Sequence, residues 1–344
     1  MLLKDIFPGR DIVFIAEIGL NHNGRLESAE ALLRSAAAAG ADAVKFQTFS
    51  PEEMYSVHTS ALMRGEKEGK PDYSQIEFFR GLTLREEEYL ALSGLARELG
   101  TVFFSSPFDG ESVELLESLQ VPLYKVASSE VTNIGLLERI GATQKPVLLS
   151  TGMAREGEID EAVNVLTKSG CPEIVVLHCV SLYPLPPEEV NLARIVKLRE
   201  RYRLKVGFSD HSPDFRLIGP AVALGASVIE KHFTLGRDYE CPDGAVSLTP
   251  EVFTAMKREA EGMMASMGDG HLNCRGAEEE VGRSARRSLF AREFIPRGKR
   301  IEKSDLIAKR PGVGMAVSCI PRILGKRVVA DIEKDHLIRK EYLE

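Results

Sequence analysis

The sequence predicts an α/β protein in which a (β/α)8 barrel precedes a small, mostly β module. Short runs of β-branched and aromatic residues alternate with helical stretches up to about residue 268, and many helical stretches stop at glycine. After residue 285 the pattern changes to short apolar runs separated by Pro-Gly turns. Strand and helix alternating at this spacing are typical of parallel β/α units, and eight units indicate a closed barrel rather than an open sheet.

Eight strand-like runs and their helices justify the barrel in order. The runs lie at 12–19, 43–49, 101–106, 123–128, 146–150, 173–180, 205–209 and 227–234. The helical stretches lie at 26–39, 83–99, 110–119, 133–141, 156–169, 189–203, 214–224 and 249–267. Glycine is the residue that most easily adopts the left-handed conformation at the end of a helix. We therefore expect helices to end at Gly40, Gly100, Gly141, Gly170 and Gly225.

The same pass along the chain predicts its domain organisation. We expect a catalytic barrel at 1–268, a linker at 269–285 and a compact β module at 286–344. The polar segment at 50–80 is too long for a plain loop between a barrel strand and its helix. Loops of this length are usually functional, so this segment is predicted to be a lid or substrate loop.

Composition argues against a secreted or membrane-spanning protein, and charge divides the chain into an acidic and a basic part. The chain has 344 residues, of which 44% are hydrophobic, with neither a signal peptide pattern nor an apolar run of membrane-spanning length. Its five cysteines are scattered, which indicates free thiols and predicts a cytoplasmic protein. Residues 286–344 carry 15 Lys and Arg against 8 Asp and Glu, a net charge of +7, so the rest of the chain carries −14.

The basic C-terminal segment raises the alternative of nucleic-acid binding. Its charges alternate with apolar residues and tight turns, which indicates a folded module instead of a solvated basic arm. A basic module held over an anionic ligand suits this pattern better. We therefore predict neither a nucleic-acid nor a membrane partner.

Polar residues recur where each predicted strand ends, and in a (β/α)8 barrel those ends carry the active site. Residues two apart share a face of a strand, so several strands place two polar groups on one face. Burying so many polar groups is costly unless they bind a ligand. The strand-end residues are Glu17, Asn21, His22, Lys45, Gln47, Ser105, Ser106, Lys125, Ser128, Glu130, Ser150, Thr151, His178, Ser181, Tyr183, Ser209, His211, Glu230 and His232.

Two groups among these residues indicate chemistry. His211 and His232 end adjacent strands and have Glu230 beside them, a set that suits Mn, Mg, Co or catalytic Zn with open water positions. Lys45 and Lys125, with the neighbouring serines, form a cationic and donor-rich floor that suits a phosphate ester.

The strings that carry these residues resemble the sialic acid synthase family. They occur in the order that the family has and cover nearly the whole chain. The tail, with KRPGVG at 309–314 and LGKRVVADI at 324–332, is similar to the family's antifreeze-like (SAF) domain. The matching strings are AEIGLNHNG (16–24), VKFQTF (44–49), SSPFD (105–109), YKVASSE (124–130), LLSTGM (148–153), LHCVSLYP (177–184), GFSDHS (207–212), SVIEKHFTL (227–235) and CPDGAVSL (241–248).

This resemblance implies an enzyme that condenses phosphoenolpyruvate with an open-chain N-acetylated amino sugar. It implies a divalent metal, typically Mn with Mg or Co as alternatives, on His211 and His232, and acidic residues Glu130 and Glu230 near that metal and its water. It further implies a homodimer in which Arg310 of one C-terminal domain reaches the sugar's acyl group in the other subunit. The positions matching phosphoenolpyruvate-binding residues are Lys45, Lys125, Ser128, Ser150, Ser181 and Ser209. The positions matching sugar-side residues are Glu17, Gln47, Tyr183 and Asp243.

Three departures from the family's pattern leave the sugar open. Ser181 stands where members that make neuraminate often carry Asn, while Cys241 and Gly244 replace other common residues near the sugar end. The candidates are N-acetylmannosamine, its 6-phosphate and the 2,4-diacetamido-trideoxyhexoses. Two other functions also stay open. One is an aldolase that forms a Schiff base through Lys125 or Lys231. The other is a carbohydrate-binding protein whose basic tail recognises anionic glycans.

Overall fold

A computed structural model describes residues 1–58 and 72–344 of the chain, which form two compact units, Met1–Gly268 and Asp269–Glu344. Short helices at Pro51–Met54 and Ser74–Arg80 lie within the segment predicted to be a lid or substrate loop. The remainder of that prediction falls largely on residues 59–71, which lie outside the described residues.

The first unit is built on a sheet of eight parallel strands in the order β3-β2-β1-β8-β7-β6-β5-β4. The outermost strands of this order, β3 and β4, are also in contact, so the sheet closes into a barrel. The predicted (β/α)8 fold is therefore confirmed. The strands are β1 Val13–Gly19, β2 Ala43–Thr48, β3 Val102–Pro107, β4 Tyr124–Val126, β5 Val147–Ser150, β6 Ile174–Cys179, β7 Lys205–Asp210 and β8 Ala226–His232.

Helices follow the strands and form the outer layer. They are Leu26–Ala38, Glu86–Leu99, Gly110–Ser118, Ile134–Ala142, Glu156–Lys168, Ala193–Tyr202, Ile218–Ala223 and Pro250–Met267, with a short helix Leu3–Ile6 before the first strand. Single 3₁₀ turns occupy Ser128–Glu130, Pro187–Glu189 and Gly244–Val246.

Glycines serve two purposes in this layer. Gly100 ends its helix in the left-handed conformation, at φ 71°, as predicted. The expectation that Gly141 also ends a helix was wrong, because this glycine lies inside Ile134–Ala142. A Cβ at Gly141 would stand 2.5 Å from the Cβ of Ser169, so the glycine allows close approach of the next helix's C-terminal end.

The first unit has two apolar layers. A large cluster fills the space between the strands and the helices, with Phe14, Phe46, Phe208, Phe233 and Phe253 among its buried members. A smaller cluster fills the N-terminal half of the barrel interior. Its buried members are Leu3, Phe7, Val13, Ile15, Ala43, Phe104, Leu123, Leu148, Val175, Leu177 and Val228. Because this half is packed with side chains, any ligand site inside the barrel must lie toward the C-terminal ends of the strands.

The second unit is small and mostly β, as predicted. Strand β9 (Ser288–Ala291) pairs antiparallel with β10 (Leu306–Lys309), and further isolated bridges tie the remaining extended chain together. Helices occupy Ala277–Ala285 and Ile320–Ile323, so the segment predicted as a linker is partly helical. Its buried core is Leu289, Ala291, Ile295, Ile301, Leu306, Ile323, Val328, Ile332 and Ile338. Within residues 1–58 and 72–344, none of the helices combines the length and the apolar character that crossing a bilayer requires.

Candidate active site

The C-terminal half of the barrel interior is lined with polar side chains, although it continues the same strand faces that are apolar below. On β1 the inward residue after Ile15 is Glu17, and on β2 the inward residue after Ala43 is Lys45. The strand register sets Glu17 beside Lys45 on one side and His232 on the other. Alternation of side chains and parallel pairing therefore bring charged residues from separate strands into one layer.

Two lysines and two glutamates form the charged centre of this layer. Lys45 Nζ lies 2.6 Å from Glu17 Oε2 and 3.7 Å from Glu230 Oε2, and Lys125 Nζ lies 3.8 Å from Glu230 Oε1. All four side chains are buried. Ser209 donates to Glu230 Oε1 at 2.8 Å, so the register pair Ser209–Glu230 also joins the cluster. The structure thus brings these predicted site residues together.

Burial and neighbouring charges set different protonation tendencies for the two glutamates. Burial, assisted by repulsion from Glu230, raises the pKa of Glu17 to about 7 in spite of Lys45. Burial also opposes ionisation of Glu230, but Lys125 and Lys45 outweigh it, and the pKa of Glu230 is lowered. The site therefore holds one firmly ionised carboxylate and one carboxyl that exchanges its proton near neutral pH.

The two lysines also differ. Burial lowers the pKa of Lys125, and the nearby charge of Lys45 adds to the effect. Burial acts in the same direction on Lys45, but Glu17 and Glu230 together raise its pKa. Lys45 additionally donates to Ser106 at 3.2 Å, and Lys125 donates to the carbonyl of Val126 at 3.0 Å. Both ammonium groups are thus held at fixed positions inside the barrel.

A cradle of small side chains lies at the ends of β4, β5 and β6. The backbone N–H of Gly152 donates to Ser128 Oγ at 2.9 Å. A Cβ at Gly152 would stand 2.3 Å from Ser181 Oγ, 2.8 Å from Ser128 Oγ and 3.1 Å from Cys179 Sγ, so glycine keeps this space open. Ser150 Oγ is buried and finds no hydrogen-bond partner among the described residues. An unpartnered hydroxyl is what an oxygen-rich ligand would satisfy.

Sequence reasoning missed Gly152 and Cys179. Cys179 is buried at the end of β6, two residues beyond Leu177 on the inward face. Burial would raise the pKa of its thiol, but the hydrogen bond with His211 and the charges nearby outweigh burial, and the pKa is lowered to about 7. The signal available in the sequence was the parity of Cys179 along its strand. No feature of the sequence indicates the open space that Gly152 leaves beside Ser128 and Ser181.

His211 and His232 stand side by side, with ring centroids 5.4 Å apart. Burial opposes the charged form of His211, but hydrogen bonds with Cys179 and Val180 and the charge of Glu230 outweigh burial and raise its pKa. His211 Nδ1 donates to the carbonyl of Val180 at 2.9 Å, so Nε2 is the ring nitrogen that remains for another partner. Tyr183 Oη lies 2.9 Å from that Nε2. Burial, with the positive charges around it, holds the pKa of His232 well below its ordinary value, which keeps that imidazole neutral.

The sugar-side prediction is partly gathered around these histidines. Asp243 Oδ2 lies 3.4 Å from His232 Nδ1. Gln47 donates to Glu17 Oε1 at 3.0 Å. The loop carrying Asp243 is held from below by Asn21, whose Oδ1 accepts from the Asp243 N–H at 2.9 Å. The predicted residues Gln47, Tyr183 and Asp243 are therefore within reach of the charged centre or the histidine pair.

Two predicted residues lie elsewhere. Glu130 sits in the 3₁₀ turn after β4 and accepts hydrogen bonds from Asn133 at 2.8 Å and Ser129 at 3.0 Å. None of its hydrogen bonds within the described ranges reaches the lysines. Arg310 belongs to the second unit, where it is exposed just after β10.

The fit of a divalent metal follows from the histidine pair. Within residues 1–58 and 72–344, no group of three or more His, Cys, Asp or Glu side chains is arranged to hold a metal ion. Nevertheless, His232 Nδ1 is buried without a hydrogen-bond partner in the described part of the chain. Two imidazoles with a carboxylate nearby suit a metal whose other positions are filled by oxygens from substrate and water, once any proton on the second nitrogen of His211 is displaced. His211 and His232 therefore fit the predicted metal as a two-residue site.

Comparison with known proteins gives the family. The NeuB family model matches residues 32–272, and the SAF domain model matches residues 286–344. An N,N'-diacetyllegionaminic acid synthase from Campylobacter jejuni is 38% identical over 330 residues, which cover 95% of this chain and 99% of that protein. A pseudaminic acid synthase from Helicobacter pylori is 34% identical over 315 residues, covering 91% of this chain and 92% of that protein.

A solved structure agrees with these matches. The N-acetylneuraminic acid (sialic acid) synthetase from Leptospira borgpetersenii serovar Hardjo-bovis, in complex with citrate, is 32% identical. It superposes with a TM-score of 0.72 over 79% of this chain and 90% of that chain. The chain therefore belongs to the NeuB family of sialic-type acid synthases, with a SAF domain at its C-terminal end.

Proposed function

We propose that this enzyme condenses phosphoenolpyruvate with the aldehyde of an open-chain N-acetylated amino sugar, giving a nonulosonic acid and phosphate. One observation carries the proposal: two buried lysines and two buried glutamates stand beside a pair of imidazoles at the C-terminal end of the barrel. Cations in a water-poor site suit a phosphate ester, and imidazoles that hold a metal suit a carbonyl. One layer of side chains thus serves both substrates.

Phosphoenolpyruvate is proposed to bind at the lysine end. Lys45 and Lys125 supply charge-assisted hydrogen bonds that are stronger than neutral ones, particularly where water is excluded. The cradle beside Gly152 provides the space and further donors for an anionic group. The hydroxyls proposed to bind this substrate are those of Ser128, Ser150, Ser181 and Ser209.

The amino sugar is proposed to bind at the histidine end. Glu17, Gln47, Tyr183 and Asp243 surround its hydroxyls and orient its aldehyde. His211 and His232 would hold a divalent metal, Mn first with Mg or Co as alternatives. When bound, that metal supplies Lewis-acid polarisation of the aldehyde.

The reaction joins carbon 3 of phosphoenolpyruvate to the aldehyde carbon. The aldehyde oxygen gains a proton and becomes a hydroxyl group. The oxygen of a water molecule adds to carbon 2, and phosphate then leaves with cleavage of its bond to carbon 2, so that a carbonyl remains. Of the two protons of that water, one balances the proton taken up by the aldehyde oxygen and the other leaves with phosphate. Charge develops at both reacting oxygens, and fixed charged groups stabilise it without reorganising.

The glutamates have proposed roles in moving these protons. Glu17 holds a proton near neutral pH and lies beside His232 in the register, so it is suited to protonate the aldehyde oxygen. Glu230, whose pKa is lowered by Lys125 and Lys45 in spite of burial, favours the charged form of both lysines and orients the cluster. Glu130, in the turn at the end of β4, is proposed to act on water at the rim.

The choice of sugars to test rests on the relatives rather than on the site. The relative from Campylobacter jejuni is named for diacetyllegionaminic acid, and the solved structure is named for N-acetylneuraminic acid. We place 2,4-diacetamido-trideoxyhexoses first in the panel to be tested, followed by N-acetylmannosamine and its 6-phosphate. The cytoplasmic location stays a prediction from the sequence.

We also propose that the enzyme is a homodimer whose SAF domain covers the partner's active site. The barrel and linker carry a net charge of −14 and the SAF domain +7, so the two attract. Arg310 would then donate to the partner's sugar, since its planar guanidinium suits carbonyl or carboxylate oxygens. A closed two-fold dimer lets each domain complete the other site.

Subunit exchange tests this arrangement. A chain carrying Arg310→Ala is mixed with a chain carrying His211→Ala. If Arg310 acts on the partner, a mixed dimer has one intact site and one doubly altered site, so activity returns. If Arg310 acts within its own subunit, every site keeps a lesion and the exchanged mixture stays inactive. Mass spectrometry of isotope-labelled subunits confirms that exchange took place.

Phosphate release tests the reaction itself. We expect release from phosphoenolpyruvate only when a sugar from the panel and a divalent metal are present. His211→Ala and His232→Ala should each abolish turnover and weaken Mn²⁺ binding while far-UV circular dichroism stays unchanged. Full activity after EDTA treatment would remove the metal from the proposal. Trapping with pyruvate and borohydride would favour the aldolase, and glycan binding without phosphate release would favour the binding protein.

A further inference from the structure

A second buried charge pair lies directly behind the histidine pair, on the outer face of the same two strands. Lys231 Nζ lies 2.7 Å from Asp210 Oδ2, and both side chains are 0% exposed. The two residues are opposite each other in the register of β7 and β8. Each immediately precedes one of the histidines in the chain, and alternation sends their side chains away from the barrel interior. The reaction proposed above does not use them.

The charged groups of this pair form hydrogen bonds with each other and with Ser212. Lys231 Nζ donates to Asp210, to the carbonyl of Ser212 and, at 3.3 Å, to Ser212 Oγ. Asp210 Oδ1 accepts from the N–H of Ser212 at 2.9 Å, and Asp210 Oδ2 accepts from Ser212 Oγ at 2.8 Å. A buried network whose donors and acceptors are this fully used tolerates little displacement, since each lost bond leaves a buried polar group unpaired.

The network therefore brackets His211. Asp210 and Ser212 fix the backbone on both sides of that histidine, and Lys231 ties this backbone to the residue before His232. The same arrangement excludes Lys231 as an imine-forming lysine, because its amine is fully buried and faces away from the barrel interior. Of the two lysines considered for an aldolase, only Lys125 faces the interior.

Stability alone gives no reason for a charged pair at this place. Two ions lose their hydration on burial, and apolar residues of similar volume commonly give equal or greater stability. What a saturated charged network gives instead is one defined geometry. Here that geometry is the separation and orientation of two adjacent strand ends, each of which carries an imidazole.

We propose that Asp210, Lys231 and Ser212 are positioning residues that set the spacing of His211 and His232 for the metal. This inference rests on the proposed role of the two histidines. Loss of the pair should let the two strand ends shift and so lower metal affinity by at least about tenfold, in the range seen when groups that orient metal ligands are removed.

A matched ion pair at the opposite end of the barrel provides the control. Lys257 Nζ lies 3.4 Å from Asp42 Oδ1 and donates to the carbonyl of Gly40 at 2.6 Å. The Asp42 side chain is only 4% exposed, and the residue precedes β2, so this pair is at the N-terminal end of the strands. Lys257→Met should lower thermal stability without changing the affinity for Mn²⁺.

The experiment compares the full-length protein with Lys231→Met, Asp210→Asn and Lys257→Met. Mn²⁺ affinity is measured by electron paramagnetic resonance of the free ion, without substrates. In parallel, the imidazole resonances of His211 and His232, assigned by substitution of each histidine, are recorded in metal-free protein. We expect weaker Mn²⁺ binding and shifted resonances in Lys231→Met. The milder variant Asp210→Asn should show the same changes to an equal or smaller extent, and Lys257→Met should show neither.

The outcomes separate this inference from the proposed function. If Lys231→Met does not fold, Asp210→Asn, which preserves size and an accepting oxygen, carries the test. Folded variants with wild-type Mn²⁺ affinity and unshifted resonances would overturn the inference. Equal losses in Lys257→Met would also overturn it, because the effect would then be general destabilisation. If wild-type protein binds no Mn²⁺, the metal proposal fails, and the metal-free resonances alone decide whether the pair positions the histidines.

Discussion

The two halves of the barrel interior use the same strands but have opposite chemistry. Toward the N-terminal ends, Ile15, Phe104 and Leu177 belong to a buried apolar cluster. One pleat further along the same strands, Glu17 and Cys179 line the polar half, and Ser106 accepts from Lys45. The same strands supply both halves, so the difference in chemistry lies in their side chains.

This contrast separates what holds the barrel together from what acts on a substrate. Apolar residues in the lower half stabilise the fold because moving them out of water is favourable. Buried charges in the upper half lose their hydration, and only their mutual contacts offset the free energy that this loss costs. Substitutions in the lower half should therefore reduce stability with little effect on substrate affinity, and substitutions in the upper half should do the reverse. Four predictions test or sharpen this division.

The largest effect is expected from Lys125→Met. Methionine has a similar length but lacks the charge, so phosphoenolpyruvate loses a charge-assisted hydrogen bond, and its KM should rise on the order of 100-fold. The KM for the sugar should change far less. Burial disfavours the charge of Lys125, and Glu230 keeps Lys45 at 3.7 Å and Ser209 at 2.8 Å, so the loss in the free energy of unfolding should stay below the value of about 3–5 kcal/mol expected when a buried charge loses its sole partner. Steady-state kinetics and urea unfolding give the two numbers. Equal increases in both KM values would argue that Lys125 is structural.

Phe104→Ala is the counterpart in the lower half. Phe104 is fully buried in the barrel interior, two residues before Ser106 on β3. Removing its ring should reduce the free energy of unfolding by about 3–5 kcal/mol, through lost burial and the cavity left behind. KM for phosphoenolpyruvate should change less than about threefold at a temperature where the variant is folded. A KM change as large as that of Lys125→Met would contradict the division of the barrel into two halves.

Gly152→Ala tests whether open space, as well as charge, defines the upper half. Its φ lies outside the left-handed region, so alanine meets no backbone strain there, but the new methyl group would overlap Ser181 Oγ and Ser128 Oγ. We expect KM for phosphoenolpyruvate to rise about tenfold because the cradle is partly filled. Gly157→Ala is the matched control, since it lies in the helix Glu156–Lys168 and its Cβ would meet nothing within 4 Å. The control should leave KM unchanged, and similar KM values in the two variants would remove the cradle from the site.

Much of this division could be predicted from the sequence. The strand runs placed Glu17 toward the end of its strand. Alternation put Lys45 with Gln47, Ser209 with His211 and Glu230 with His232 on shared faces, and the contacts of Lys45 and Glu230 agree with this placement. Family resemblance added Asp243, which lies in a loop where no periodicity applies. These predictions succeed because parallel strands in a barrel share one direction and one active end.

The rest depends on distances across strands, which periodicity does not contain. Alternation along the strand is enough to turn Lys231 away from the face of His232, but its pairing with Asp210 depends on the register between β7 and β8. The clearance at Gly152 depends on side chains from two other strand ends. Gly141 shows the same limit in the helical layer, where a glycine predicted to end a helix instead allows a neighbouring helix to approach.

The last prediction is a pH dependence of stability that comes from Glu17. Burial, together with repulsion from Glu230, raises the pKa of this carboxyl to about 7 from 4.5. A folded-state pKa above the unfolded value means that the native state binds the proton more tightly. The contribution of Glu17 to stability is therefore complete below about pH 4.5 and is lost as the pH rises to about 7.

Glu17→Gln, which cannot titrate, should lose this dependence. The difference in the free energy of unfolding between wild type and Glu17→Gln should therefore fall by a few kcal/mol, as an order of magnitude, between pH 4.5 and 7, then level off. Urea unfolding of both proteins across this range measures the difference. A difference that is constant with pH would mean that folding does not shift the pKa of Glu17, and Glu17 would then be unsuited to protonate the aldehyde oxygen near neutral pH.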